Sequence, residues 1–98
     1  MQINKTLNGD ALTIAITGRI DTLTAPQLDA EIQGKLDGIK SLVIDLKNVE
    51  YISSAGLRIF LAAQKIMNKQ GSMVVKNASS AIKEIFEVTG FCDILTIE

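Results

Sequence analysis

The sequence contains no histidine and a single cysteine, Cys92, among 98 residues. Histidine is the commonest general base and a frequent metal ligand, and one thiolate cannot build a metal cage, so neither a metal site nor a cofactor is expected. A lone cysteine cannot close an internal disulfide, and the N-terminus lacks a basic segment followed by an apolar run. These features predict a cytoplasmic protein.

Charge clusters and long apolar runs are also missing. Ten basic and eleven acidic residues give a net charge of -1 without any Lys/Arg cluster, and because nucleic-acid binding depends on neutralising phosphates, no nucleic-acid partner is expected. The longest apolar tract, around residues 55–67, is interrupted by Arg58, Gln64 and Lys65. A membrane span needs about 18 uninterrupted apolar residues, so direct membrane insertion is not expected.

What the chain does contain is enough apolar material, 47% of its residues, for one packed domain over residues 1–98. Residues 2–7 and 11–18 predict two antiparallel strands joined at Asn8-Gly9-Asp10. Thr24, Pro26 and Gln27 form a capping-box pattern that predicts a helix lasting until Gly38.

The remaining elements follow from changes in hydrophobic periodicity. The segment 41–46 is apolar in succession, which is typical of a strand covered on both faces. The other predicted elements are a helix over 55–69, a strand over 73–76, a helix from Ser79 or Ser80 to Gly90, and a last strand over 94–97. This order predicts an α/β fold: a mixed, mostly parallel sheet of about five strands with helices packed on it and an N-terminal β-hairpin.

Ser53 and Ser54 lie where the predicted central strand ends and the long helix begins. The first turn of a helix leaves backbone N–H groups without partners, so capping alone explains a serine at either position, and the residues by themselves favour that explanation. The same N–H groups and the helix dipole also favour a phosphate. The alternative is therefore that one serine is a phosphorylation switch.

An enzyme is the less favoured interpretation of this segment. Ser54-Ala55-Gly56 is half of a nucleophile elbow, but the elbow needs glycine where Ile52 stands. The serine would also need a base, which a chain without histidine could supply only as a lysine. No glycine-rich phosphate loop is present, so an intrinsic kinase or NTPase is not supported either.

The chain resembles the STAS family, and within it the small bacterial anti-sigma factor antagonists, over nearly its full length. Three segments in order carry the resemblance: Gly18-Arg19-Ile20-Asp21 with Thr24-Ala25, Leu42 to Asn48 running into Tyr51-Ile52-Ser53-Ser54-Ala55-Gly56-Leu57, and Ala81 to Phe91 with the turn at Gly90. They are similar to the family's early G-x-[LI]-D…T-A element, its central strand and phosphorylation loop, and its last conserved helix with a glycine turn. The resemblance implies a STAS-type fold.

It also implies a function. In that family the serine matching Ser54 is phosphorylated by an anti-sigma factor that is also a serine kinase. The unphosphorylated domain binds the anti-sigma factor and frees the sigma factor, and a phosphatase resets the cycle. Ser54 would then be a substrate in a transcription-regulating binding module, and the protein would not be an enzyme. Many antagonists carry Asp immediately before the phosphoserine, where this chain has Ser53, so Ser53 is a second candidate acceptor.

Both segments near the predicted strand ends contribute to the expected partner-binding surface, which comprises Asp21, Thr22, Ser53, Ser54, Ala55, Gly56, Leu57 and Arg58. Asp21 is explained equally well as a solvated loop carboxylate and as a contact for a basic group on the partner. Gly56 is better explained by close approach of the helix start than by chemistry. Leu57 is better explained as the margin of the core than as docking surface.

The rival function uses the same fold differently. Some STAS proteins are stable small subunits without a phospho-switch, such as those docked on the ATPase of a phospholipid-transporting ABC complex. A neighbouring gene for a kinase-like anti-sigma factor would support the antagonist, and one for a transporter ATPase or permease would support the subunit.

Overall fold

The structure is a computed structural model that describes residues 1–98. Its N-terminal hairpin pairs β1 (Gln2–Asn8) with β2 (Ala11–Ile20) in antiparallel register around Gly9, whose φ of +65° suits glycine. The predicted hairpin is confirmed, although β2 continues two residues past Gly18. That glycine has a φ of +106° and lies next to a register shift, so it allows the strand to bend and continue.

The sheet has the order β1-β2-β3-β4, in which β3 (Ser41–Ile52) pairs in parallel with β2 and with β4 (Ser72–Lys76). Strand β3 runs six residues further than the sequence predicts. Two register shifts each insert an extra residue on β3 opposite β2, so the buried positions after Leu46 are Val49 and Ile52, three residues apart. The strand period of two is lost there although pairing continues.

The predicted fifth strand is not formed. After Gly90 the chain makes a 3₁₀ turn at Phe91–Asp93, and Ile94 keeps a helical backbone with φ -102° and ψ -42°. Only a single parallel bridge between Val75 and Ile97 remains. The sheet therefore has four strands, and the mixed α/β architecture with helices on the sheet is otherwise as predicted.

Three helices accompany the sheet: α1 (Ala25–Ile32), α2 (Ser54–Gln70) and α3 (Ser80–Thr89). Helix α1 ends six residues before the predicted stop, because Gln33 is extended and Gly34 has a φ of +70°. Leu36 is still buried, at 3% exposure, but it reaches the core from a loop. Leu36 falls within the range predicted as helix, so the helix prediction is wrong at this residue.

The core lies on one face of the sheet. Ile14, Ile44 and Val75 have no exposed surface and belong to the same cluster as buried residues of all three helices. On the opposite face Val43 and its neighbours Thr13 and Val74 are only partly buried. The prediction that β3 is covered on both faces is therefore wrong: β-branched side chains form a half-exposed surface there, which suits their strand preference. No helix is both long enough and apolar enough to cross a membrane.

Candidate functional site

The junction between β3 and α2 separates the two serines. Ser53 is extended, with φ -85° and ψ 171°, and its Oγ accepts a hydrogen bond of 3.3 Å from the backbone N–H of Gly56, so Ser53 is the N-cap of α2. Ser54 is the first residue of the helix, is exposed, and its hydroxyl makes no hydrogen bond within the protein. One serine holds the helix start and the other presents a free hydroxyl.

Close packing beneath the helix start explains Gly56. A Cβ atom at this position would lie 2.6 Å from Cγ2 of Ile20 and 3.1 Å from Cγ2 of Ile52. Both distances are shorter than ordinary van der Waals contact, so a side chain would push α2 away from the ends of β2 and β3. This close approach is the explanation that the sequence favours for Gly56.

The loop that follows β2 is tied to this junction. The backbone N–H of Ser53 donates to the carbonyl of Ile20 at 2.7 Å, which fixes the two loops side by side. The bond continues the parallel β2–β3 pairing one residue beyond the end of β3. We call residues 19–24 and 51–58 together the serine end of the molecule.

Asp21 organises its own loop. Its Oδ1 accepts hydrogen bonds from the backbone N–H groups of Leu23 and Thr24, each at 3.0 Å. Thr24 Oγ1 in turn accepts from the Asp21 N–H at 2.9 Å and donates to the Arg19 carbonyl at 2.8 Å. This ring replaces the predicted capping box, because the Thr24 side chain makes no cap bond to α1. Asp21 thus has a structural role that neither of its sequence explanations included.

The electrostatics of Asp21 follow from this ring. The backbone N–H of Thr24 contributes most to lowering the pKa of the carboxyl below its ordinary value of 3.8. Further lowering comes from the Leu23 N–H, the Thr24 hydroxyl and the positive charge of Arg19. The carboxylate is therefore ionised at neutral pH and already committed to the loop.

The predicted partner-binding residues divide by exposure. Thr22, Ser54 and Arg58 are exposed, and Ala55 is half-buried. Leu57 is only 3% exposed and belongs to the core cluster, and Gly56 is also buried. Leu57 and Gly56 therefore lie beneath the exposed residues and not at the surface, because both lie on the helix face that packs against the sheet.

An open groove adjoins the serine end between the first turns of α1 and α2. Its volume is about 380 Å³ and its lining is largely apolar, with Arg58 and Asp29 contributing the charged side chains. The lining residues are Thr22, Ala25, Pro26, Asp29, Ala55, Arg58, Ile59 and Ala62. No group of three or more metal-ligating side chains converges anywhere in the chain.

Three further residues at the serine end were not found from the sequence. The Arg19 guanidinium lies over the Tyr51 ring, 4.7 Å from its centroid, and Leu23 is 89% exposed. The Arg19–Tyr51 pair depends on the β3 extension, which the apolar pattern did not reveal. A signal for Leu23 existed, since it is a large apolar residue directly before the helix start, where a staple contact with Leu28 would be expected. Leu28 is fully buried and Leu23 is not, so that staple is absent.

Fold and site together define a small α/β binding domain that presents a serine at a strand-to-helix junction. The STAS domain model matches residues 2–98, and the chain belongs to the STAS domain family. BtrV of Bordetella bronchiseptica, provisionally named an anti-sigma factor antagonist, is 36% identical over 90% of this chain and 78% of its own length. The anti-sigma-B factor antagonist of Bacillus subtilis is 34% identical over 92% of this chain and 84% of its own length.

A solved structure is similar to the fold as well. The crystal structure of an anti-sigma factor antagonist from Mycobacterium paratuberculosis matches with a TM-score of 0.88 and 27% identity, over 98% of this chain and 83% of the other. The family match over residues 2–98 includes the hairpin, the serine end and α3, so it concerns the whole domain.

Proposed function

We propose that this protein is an anti-sigma factor antagonist whose binding is switched by phosphorylation of Ser54. In its unphosphorylated form it binds an anti-sigma factor that is also a serine kinase, and this binding frees the sigma factor for transcription. Phosphorylation by that kinase ends the complex, and a phosphoserine phosphatase restores it. The relatives named as antagonists support this function over a transporter subunit.

One observation carries the choice of residue: the Ser54 hydroxyl is exposed and uncommitted, whereas the Ser53 hydroxyl caps α2. To react with the kinase, the Ser53 oxygen would first have to give up its cap bond from the Gly56 N–H, which contributes about 1 kcal/mol. Phosphorylation of Ser54 would leave every hydrogen bond of the junction in place. Ser54 is then a substrate of the kinase: its hydroxyl oxygen accepts the γ-phosphoryl group as ADP leaves, and it is not a catalytic residue of this protein.

The physical effect of the phosphate is a change of surface charge. It adds about 1.5 to 2 negative charges at neutral pH, next to the unpaired N–H groups of the first helical turn, which favour an anion. The domain should therefore keep its fold. A partner whose footprint covers Ser54 would have to bury that charge, at a cost of about 3 to 5 kcal/mol, equivalent to a loss of affinity of about 10² to 4 × 10³-fold.

The direct test is to purify the native protein with its bound partner, identify the partner, and measure the intact mass. Incubation with the recovered kinase and ATP should add one phosphate, and peptide mapping should place it on Ser54. Ser54→Ala should accept none, while Ser53→Ala, the matched control, should still be phosphorylated. A phosphate on Ser53 or Thr22 would contradict the assignment, and recovery of a transporter ATPase would favour the subunit function instead.

A further inference from the structure

Large apolar side chains exposed to solvent are concentrated at few places in this protein, and two of them lie at the serine end. Leu23 is 89% exposed, the highest value among the large apolar residues, and Tyr51 is 38% exposed. Leu23 is two residues from Asp21, and Tyr51 is three residues before Ser54. The loops that carry them are joined by the bond between Ser53 and Ile20.

The backbone around Leu23 is held in place although its side chain contacts little. The Leu23 N–H donates to Asp21 Oδ1, and the Thr24 hydroxyl closes the ring onto the Arg19 carbonyl. A side chain presented by such an organised loop loses little further backbone freedom when a partner covers it. The exposed Leu23 side chain can therefore enter an apolar pocket of a partner at little cost in backbone entropy.

Arg19 offers the charged half of the same surface. Its guanidinium carbon lies over the Tyr51 ring, 4.7 Å from the centroid, which is a cation–π contact. Its ion pair with Asp21 is loose, with Nε and Oδ2 3.9 Å apart, and the Arg19 side chain is 58% exposed. Since 3.9 Å is too long for a hydrogen bond, Arg19 lacks a hydrogen-bonded acidic partner within the chain.

We propose that Leu23 and the Arg19–Tyr51 stack form the docking anchor for the anti-sigma factor kinase, with Leu23 entering an apolar pocket and Arg19 pairing with a carboxylate of the kinase. This inference rests on the proposed function, because the anchor serves to place the kinase over Ser54. The occupant is chosen by continuity with the Ser54 surface, since the bond between Ser53 and Ile20 joins the two loops. The fork of N–H groups on a guanidinium suits a bidentate bond to a carboxylate.

The test is a titration of unphosphorylated variants against the kinase recovered with the native protein. Leu23→Ser and Arg19→Glu should each weaken binding about tenfold or more, and Arg19→Gln should weaken it less than the charge reversal does. Matched controls are Leu7→Ser, at a leucine 63% exposed in the hairpin, and Lys69→Glu, an exposed charge near the far end of α2. Both controls should bind like the wild type.

Salt dependence isolates the charge contribution. Raising the NaCl concentration from roughly 50 to roughly 500 mM should weaken the wild type more than Arg19→Gln, because screening acts on a pair that the variant lacks. Unphosphorylated protein is used throughout, so an effect of Arg19 on a phosphate at Ser54 cannot produce the result. Circular dichroism melting of each variant checks that the fold is intact.

The outcomes separate this inference from the function it rests on. If Ser54→Asp loses binding while Leu23→Ser and Arg19→Glu bind like the wild type, the anchor is wrong and the switch stands. Stronger binding by Arg19→Glu would overturn the acidic contact and indicate a basic one. If Ser54→Asp also binds like the wild type, the proposed function fails together with the anchor.

Discussion

Hydrogen bonds hold the connections at both ends of the sheet, but the two ends leave different groups at the surface. At the hairpin end, which we define as residues 8–10, 33–40 and 70–72, connections are fastened inward: Gln70 donates from Nε2 to the carbonyls of Leu36 and Ile39. The Lys40 N–H donates to the Asp10 carbonyl at 2.8 Å. The polar groups at the hairpin end therefore hydrogen-bond to one another and hold the connections together.

At the serine end the connections are fastened by one ring around Asp21 and one cap from Ser53. This arrangement uses the backbone groups of Leu23 and Arg19, while the side chains of Ser54, Arg19 and Leu23 remain outside it. The groups that hold the loops are thus different from the side chains that remain available for binding. The comparison teaches that the serine end can change its surface charge without losing the bonds that form it, which a switch requires.

Among substitutions that test the difference between the two ends, the largest loss of stability is expected at the hairpin end. A Cβ at residue 71 would lie 2.0 Å from the carbonyl oxygen of Lys40, a backbone atom that cannot rotate away. Gly71→Ala should therefore lower the free energy of unfolding by about 3 kcal/mol or more. At the serine end Gly56→Ala meets the Ile20 side chain instead and gains helix propensity, so about 1 to 2 kcal/mol is expected.

Urea denaturation of the two variants measures this difference. Equal destabilisation by Gly71→Ala and Gly56→Ala would show that the two ends are packed with the same tolerance. The folded fraction of Gly71→Ala should still bind the partner, because its defect lies at the opposite end of the sheet from Ser54.

A smaller difference in stability is expected between substitutions of Ser53 and Ser54. Ser53→Ala removes the hydrogen bond accepted from the Gly56 N–H and should lower the free energy of unfolding by about 1 kcal/mol. Ser54→Ala should change it by less than about 0.5 kcal/mol, since the Ser54 hydroxyl makes no bond. Thermal melting of both variants provides the measurement, and the reverse order would mean that Ser54 is the cap.

The smallest effect is the pH dependence contributed by Asp21. Since hydrogen bonds hold its pKa below 3.8 in the folded protein, its ionised form favours folding at neutral pH. That contribution is lost as the pH falls below about 3.8 and through the lower folded value. The difference in Tm between wild type and Asp21→Asn should therefore shrink from neutral pH toward about pH 3. A difference that grows on acidification would contradict the lowered pKa.

Sequence patterns predicted most of this fold, for identifiable reasons. The hairpin, α2 and α3 have strong periodicity and clear ends, and Gly90 adopts the left-handed φ of +81° that its C-terminal position predicted. The predictions failed where pairing or loops overrode periodicity: in the bulged half of β3, in α1 after Ile32, and at residues 94–97.

The site was predictable in position but not in detail. The preference of serine for the start of a helix, together with the family resemblance, located Ser53, Ser54 and the segment around Asp21. Which serine caps α2 depends on a one-residue difference in where the helix begins, which sequence patterns do not resolve. The ring around Asp21 and the Arg19–Tyr51 stack are contacts between loops, and composition carries no signal for them.

The central claim is that Ser54 presents a hydroxyl whose charge decides partner binding while the fold stays unchanged. Titration of wild type, Ser54→Ala and Ser54→Asp against the kinase tests it most directly. Ser54→Asp should bind at least tenfold more weakly than the wild type, a difference of about 1.4 kcal/mol, with Tm little changed, and Ser54→Ala should bind like the wild type. Equal affinity of Ser54→Asp and the wild type would contradict the account.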